Sequence, residues 1–312
     1  VLAAAGVAAP RIWTYLIDRP GPLPQARAIV VPHGTTTGLA QALRGDGVLD
    51  SPLLFRAAAL VTTRQGPLRA AEFAFPAHAS IAQVLAVLRT ARPVQHPLTI
   101  AEGLTQQQIS AVVAHADVMD GPVPRLAEGS VLPQTYDYEY GASRSGVMGR
   151  AQAAMAHLLD TAWADRAPGL PLTSPREALI LASIVERETA KPAERAHVAA
   201  VYLNRLRQGM RLEADPTVIY AASNGAGVLD HLLTKADLRV DSPYNTYRYA
   251  GLPPGPICSP GRDAIEAVLH PVASDDLYFV ADGTGGHVFS RDIAAHDAAV
   301  ARWRALNEVK PR

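Results

Sequence analysis

The stretch from Ala178 to Tyr220 constrains this chain more than any other. Its first helix has a start written in Ser174-Pro175-Arg176-Glu177: a serine that can cap, a proline suited to the first turn, and a glutamate three residues after the cap to complete a capping box. Leu181, Ile184 and Val185 follow at helical spacing, so one face is apolar. Glu188 extends that face one turn past Ile184. Glu186 points about 200° away from it at 3.6 residues per turn, so the two carboxylates cannot flank one bond together. Lys191-Pro192 ends this helix. Glu194 to Gln208 predicts a second, with Val198, Val201, Tyr202 and Leu206 inward and Gly209 as its stop. Asp215-Pro216-Thr217 reads as the start of a third, with Asp215 a candidate N-cap or a substrate contact.

On the helix alone, Glu188 admits two readings. A glutamate at the end of an apolar stripe commonly snorkels to water or pairs with a cation. Held out of water instead, it gains a raised pKa and can donate a proton near neutral pH. Other chemistries find little support. There is no H-E-x-x-H and no C-x-x-C. Gly141 to Gly146 misses the nucleophile elbow because Ser145 takes the place of the second glycine. His270 and His287 have no partner at ligand spacing and read as structural, so neither metal nor cofactor is expected. Cys258 is the single cysteine, which excludes an intrachain disulfide, and it reads as a small packing residue. Lysine and arginine number 29 and acids 29, so nothing calls for a nucleic-acid partner.

The 48% apolar content supports a real core, and 312 residues suffice for two domains. Residues 1–19 read as the tail of a membrane anchor plus linker, too short and interrupted to span a bilayer as they stand. Residues 20–95 read as a small module. In it a strand runs from Arg27 to Val31, and a helix capped by Thr36 or Thr37 runs through Leu43, with Gly45 beyond its end. A helix follows from Ser51-Pro52, and a strand from Glu72 to Phe75. Strand, helix, helix, strand is the order of a LysM-like glycan-binding module. Ser80 and Thr105 cap further helices, and Leu98 to Ile100 reads as a strand. Residues 96–312 form the larger, mainly helical domain, in which Ser145 to Asp165 packs under the Glu188 helix. Tyr136, Tyr138 and Tyr140 alternate, either as an aromatic face for a sugar or as strand packing. Tyr244-Asn245-Thr246-Tyr247, stiffened by Pro243, offers amide, hydroxyl and ring groups suited to N-acetyl sugars, or a packed loop corner. Gly251 to Pro256, including Pro254, is a stiff loop that would wall a groove.

Several blocks resemble the endolytic murein transglycosylases, the MltG or YceG-like family: ASIVERET (182–189), the run 194–220, SPYNTY (242–247), GLPPGPICSPG (251–261) and HPVASDDLYFVADGTGGHVFS (270–290). The resemblance implies an α+β protein, with the small LysM-like βααβ module followed by a lysozyme-like catalytic domain carrying small β elements. It implies a lyase that cuts MurNAc-β-1,4-GlcNAc bonds within peptidoglycan strands, leaving 1,6-anhydro ends and terminating nascent strands. The family's catalytic glutamate maps to Glu188, first acid and then base. Asn204, Asp215, Thr217, Tyr244, Asn245, Thr246, Tyr247 and Pro254 are the expected substrate-binding residues. The resemblance further implies a single N-terminal anchor in the bacterial inner membrane, a body in the periplasm, and cell-wall synthases (penicillin-binding proteins) as partners. Two departures stand out: Gln134 replaces the family's acid in EGSVLPQTY, and Glu213-Ala214 replaces a polar pair before Asp215. A non-catalytic glycan-binding scaffold recruiting synthases is the alternative.

Overall fold

A computed structural model describes residues 11–308 of the chain. Residues 1–10, which hold half of the expected anchor segment, lie outside that range. Residues 11–18 are helical, and among the described residues no helix is long and apolar enough to cross a membrane. The fold is α+β and divides into two compact units. One is the chain up to Pro97 with Asp137–Ala142; the other is Leu98–Tyr136 with Ser143 onward.

The first unit runs β1 (Arg27–Val30), α1 (Thr36–Gly45), α2 (Pro52–Val61), β2 (Glu72–Phe75) and α3 (Ile81–Thr90). β1 and β2 pair antiparallel, Arg27 opposite Phe75 and Val30 opposite Glu72. Thr35, not Thr36 or Thr37, caps α1, its hydroxyl accepting the Gly38 amide; the helix therefore starts earlier than expected and also takes in Gly45. Ser51 caps α2, and Ser80 with Gln83 closes a capping box on α3. Leu43, Phe55, Phe73, Phe75 and Leu88 fill the core, whereas Leu53 and Leu60 face solvent.

The chain then forms β3 (His96–Thr99), α4 (Gln106–Ala114), β4 (Thr135–Tyr138), α5 (Arg144–Ala164), α6 (Pro175–Glu188), α7 (Pro192–Arg207) and α8 (Asp215–Ala222). It closes with α9 (Arg262–Leu269), β5 (Tyr278–Ala281), β6 (His287–Ser290) and α10 (Ile293–Glu308). β3 pairs with β4, and the division between the units falls within both strands. Tyr136 and Tyr138 are buried while Tyr140 is exposed, and the Tyr136 hydroxyl donates to Leu132 O at 2.7 Å. The alternation is therefore packing, not one aromatic face.

α6 is the axis of the second unit, packed against α5, α7, α8 and α9. Every residue from Ala178 to Val185 is buried. The helix is thus enclosed all round rather than along a single stripe, and the small Ala178, Ala182 and Ser183 fit between its neighbours. Ser174 caps it through the Glu177 amide, but the Glu177 carboxylate accepts from Thr173 N at 2.6 Å, so the reciprocal half of the expected box is absent. Ser183 Oγ donates to Ile180 O and accepts from Ile257 N at 3.0 Å, fixing the end of the proline-glycine loop. Cys258 is buried and its thiol donates to Ser183 O.

Candidate active site

Glu188 is the last residue of α6. Thr189 follows in extended conformation, and Pro192 opens α7 after a short turn. That abrupt exit leaves the Glu188 carboxyl free of a continuing helix. α7 brings up Tyr202, fully buried, whose hydroxyl hydrogen-bonds the Glu188 carboxyl. One turn on, Arg205 is locked: Nε donates to Leu277 O at 2.6 Å, Nη1 to Leu212 O at 2.9 Å, and Nη1 also pairs with Glu213 Oε2 at 3.2 Å. Its guanidinium lies 5.1 Å from the Tyr278 ring centre.

α8 supplies Asp215. It is not the N-cap; Ala214 holds that position without a side-chain bond. The Asp215 carboxylate instead accepts the Tyr247 hydroxyl at 2.7 Å. Tyr247 is aimed by its loop. Asn245 Nδ2 donates to Leu238 O and Val240 O, and its Oδ1 accepts the Tyr247 amide at 3.0 Å. Thr246 Oγ1 accepts from Ala214 N at 3.0 Å and meets Thr217 Oγ1 at 2.8 Å, stapling the loop to the start of α8. Glu213, just before this helix, has φ of +52°, a conformation costly for a side chain with a Cβ.

These groups enclose a cleft of about 250 Å³. Glu188, Tyr202, Arg205, Glu213, Asp215 and Tyr247 form its polar side; Leu212, Phe279, Val280, Ala281 and His287 complete the lining. Although Glu188 keeps some solvent contact, burial of its carboxyl pushes its pKa up to about 7. The negative charge of Asp215 adds to the rise; the Tyr202 hydrogen bond and the Arg205 charge oppose it. Such a group holds a proton near neutrality and can also release it. Glu186 is different. Its side chain is 4% exposed, lies 3.2 Å from Arg195 Nη2, and accepts the Gly261 amide at 2.8 Å. Burial raises its pKa too, with the Gly261 bond and Arg195 opposing, but it faces a structural ion pair outside the cleft.

Of the residues expected to bind substrate, Asp215 and Tyr247 line the cleft beside Glu188. Asn204 does not: its amide donates to Ser274 O and Asp276 O, and its oxygen accepts from Arg207. Thr217, Asn245 and Thr246 are buried and bonded within the fold. Tyr244 packs on Tyr220 with ring centres 4.9 Å apart, and Pro254 offers its carbonyl to Arg176. Neither Tyr244 nor Pro254 is among the cleft residues. From the sequence, Tyr202 reads as a core residue and Arg205, like Asn204, as a supporting polar group of the second helix, whereas Phe279 carries no signal as a site residue. A buried tyrosine needs a partner for its hydroxyl, which is the one signal that pointed from Tyr202 to a nearby acceptor. Among the described residues, no group of three or more His, Cys, Asp or Glu could hold a metal ion.

A model of the YceG-like family matches residues 29–302. An endolytic murein transglycosylase of Bacillus subtilis (strain 168) is 44% identical over 125 residues, covering 40% of this chain and 34% of that protein. One of Streptococcus pneumoniae serotype 2 (strain D39 / NCTC 7466) is 36% identical over 187 residues, covering 59% of this chain and 33% of that protein. The chain spans about one third of the length of these curated relatives. A 2.6 Å crystal structure of a yceG-like protein from Listeria monocytogenes aligns with a TM-score of 0.53 at 26% identity, covering 88% of this chain and 99% of that one.

Proposed function

The chain belongs to the YceG-like family, and from that premise we propose that it is an endolytic lytic transglycosylase of peptidoglycan. The observation that carries this reading is Glu188, a carboxyl with a pKa of about 7 in a cleft beside the Asp215–Tyr247 pair. Protonated, it gives its proton to the glycosidic oxygen between MurNAc and GlcNAc. The C1–O bond breaks with oxocarbenium character. The Asp215 carboxylate supplies negative charge to that centre, and Arg205 keeps Glu188 from becoming too basic. Now ionised, Glu188 takes the proton from the muramic 6-hydroxyl as that oxygen closes on C1. The product is a 1,6-anhydro end; no water enters and the enzyme's proton is restored. A scaffold would have no use for a carboxyl tuned in this way.

The test is a digest of purified sacculi with end analysis by mass spectrometry. Anhydro-muramic ends that disappear with Glu188→Gln are the expected result. Reducing ends alone would point to a hydrolase, and glycan binding without turnover to the scaffold.

The finer architecture follows the same reading. The antiparallel pair β1–β2 with α1 and α2 between its strands supports a LysM-like module. A groove of about 850 Å³ in that unit, lined by Thr35, Leu53, Arg56 and Leu60 among others, is where a glycan would lie. The larger unit is lysozyme-like, with its acid closing a central helix. We place the body outside the cytoplasm, tethered by an N-terminal segment to the inner membrane and working beside cell-wall synthases. Fractionation of cells with the full-length protein tests the tether.

A further inference from the structure

The Glu188 cleft has a further polar side chain that the reaction above does not use. His287 opens β6 and lines the cleft with Phe279 and Ala281 of β5. Its Nδ1–H donates to Glu194 Oε2 at 2.7 Å, and its backbone N–H donates to Oε1 of the same carboxylate at 3.3 Å. Glu194 lies in the first turn of α7, with Lys191 Nζ 3.9 Å from Oε1. Side chain and main chain of His287 are therefore both tied to one acid. The ring plane is fixed as well, meeting Phe279 edge-on with centroids 5.3 Å apart.

This attachment decides the tautomer. An ionised carboxylate can only accept, so Nδ1 carries the hydrogen, and the neutral ring presents Nε2 as an acceptor. Among the described residues, no protein group bonds Nε2. His197, by contrast, uses its Nε2 on Asp276 and Ser274 and stacks on Phe289, which makes it part of the fold. A histidine needed merely to staple β6 to α7 would require its Nδ1 and nothing at a cleft.

We propose that His287, oriented by Glu194, is a substrate-positioning residue of this cleft. Its Nε2 accepts a hydrogen bond from an O–H or N–H donor of an amino sugar seated against Phe279. The inference rests on the transglycosylase reading for the identity of the sugar, and no proton moves in it. It adds an acceptor to a cleft whose other polar groups are carboxyls, phenols and a guanidinium.

Two substitutions separate positioning from stapling. His287→Asn keeps an N–H donor where Nδ1 was but removes the acceptor; His287→Gln reaches the position of Nε2 with its amide. With defined glycan strands, His287→Asn should raise KM and lower kcat/KM roughly 3- to 10-fold, the worth of one neutral hydrogen bond. Its thermal midpoint should stay at the wild-type value, and His287→Gln should recover part of the loss. Wild-type kinetics in His287→Asn would overturn the proposal, as would a loss in kcat/KM matched by a loss of stability. A binding arm keeps the proposal distinct from the reading it rests on. Glu188→Gln and Glu188→Gln/His287→Asn are compared for binding to purified glycan strands, whatever ends the wild type produces. Weaker binding by the double variant supports positioning; equal binding, or none by either, overturns it.

Discussion

Tyr247 donates its hydroxyl to Asp215 at 2.7 Å, and the carboxylate held by that bond raises the pKa of Glu188. Tyr202 acts in the opposite sense, its hydrogen bond favouring the ionised acid. The two therefore make predictions of opposite sign. Asp215→Asn removes a negative neighbour, so Glu188 loses its proton at lower pH and the alkaline limb of kcat/KM moves down the pH scale. Tyr202→Phe removes a bond to the charged form, so the limb moves up. A pH–rate profile of each variant checks this. Shifts in the same direction, or no shift in either, would remove Glu188 as the titrating acid.

Glu188 should cost stability at the pH where the enzyme works. Its folded pKa of about 7 lies above the reference value of 4.5. The folded state thus binds the proton more tightly. Stability from this group is full below about pH 4.5 and is lost as pH rises through 7. The difference corresponds to at most roughly 3 kcal/mol, less where solvent reaches the carboxyl. Glu188→Gln, which loses about 10²- to 10⁴-fold in rate, should therefore be more stable than wild type at pH 8 and not at pH 4. Denaturant titrations at the two pH values measure it. Equal stability at pH 8 would mean that the carboxyl is well solvated.

Glu186 tests the assignment from the other side. Its carboxylate binds the Gly261 amide and Arg195, outside the cleft. Glu186→Gln keeps an acceptor for Gly261 but leaves Arg195 short of one partner, though Asp263 and Glu102 remain within 3.3 and 3.6 Å. We expect a loss of about 1–3 kcal/mol with the product ends unchanged. A folded, stable Glu186→Gln protein without activity would transfer the catalytic role to Glu186.

The helix starts were legible because capping is local: Ser51, Ser80, Thr105 and Ser174 each accept an amide three residues on. Where three threonines run together at 35–37, spacing could not choose among them, and Thr35 takes the role. Asp215 looked like a cap for the same local reasons, but a partner 32 residues away claims its carboxylate. Periodicity separated the faces of Glu186 and Glu188, yet could not tell that both faces are covered, since enclosure depends on four neighbouring helices. Tyr202 and Arg205 reach the cleft through the packing of α7 on α6, of which the only local sign is that a buried tyrosine needs a partner for its hydroxyl. The polarity of the loop Tyr244–Tyr247 suits a sugar-facing surface and a packed corner equally. Polar groups that are buried must satisfy one another or the backbone, and Asn245 and Thr246 do so.

That loop gives the last prediction. Thr246 Oγ1 serves both the Ala214 amide and the Thr217 hydroxyl, and both threonines are within 1% of full burial. Thr246→Val keeps the shape but leaves the Ala214 N–H without an acceptor in the interior. The expected cost is about 1–3 kcal/mol. Thr217→Val should cost a similar amount: Ala214 O keeps the Thr217 amide at 3.1 Å, but the buried Thr246 amide, which donates to Thr217 Oγ1 at 3.4 Å, loses its acceptor. The double variant should fall short of the sum, since each single change already breaks the shared bond. KM for glycan strands should stay at the wild-type value at temperatures well below unfolding. A raised KM with an unchanged thermal midpoint would mean that the Thr246 hydroxyl touches substrate, and that the loop opens to the cleft in solution.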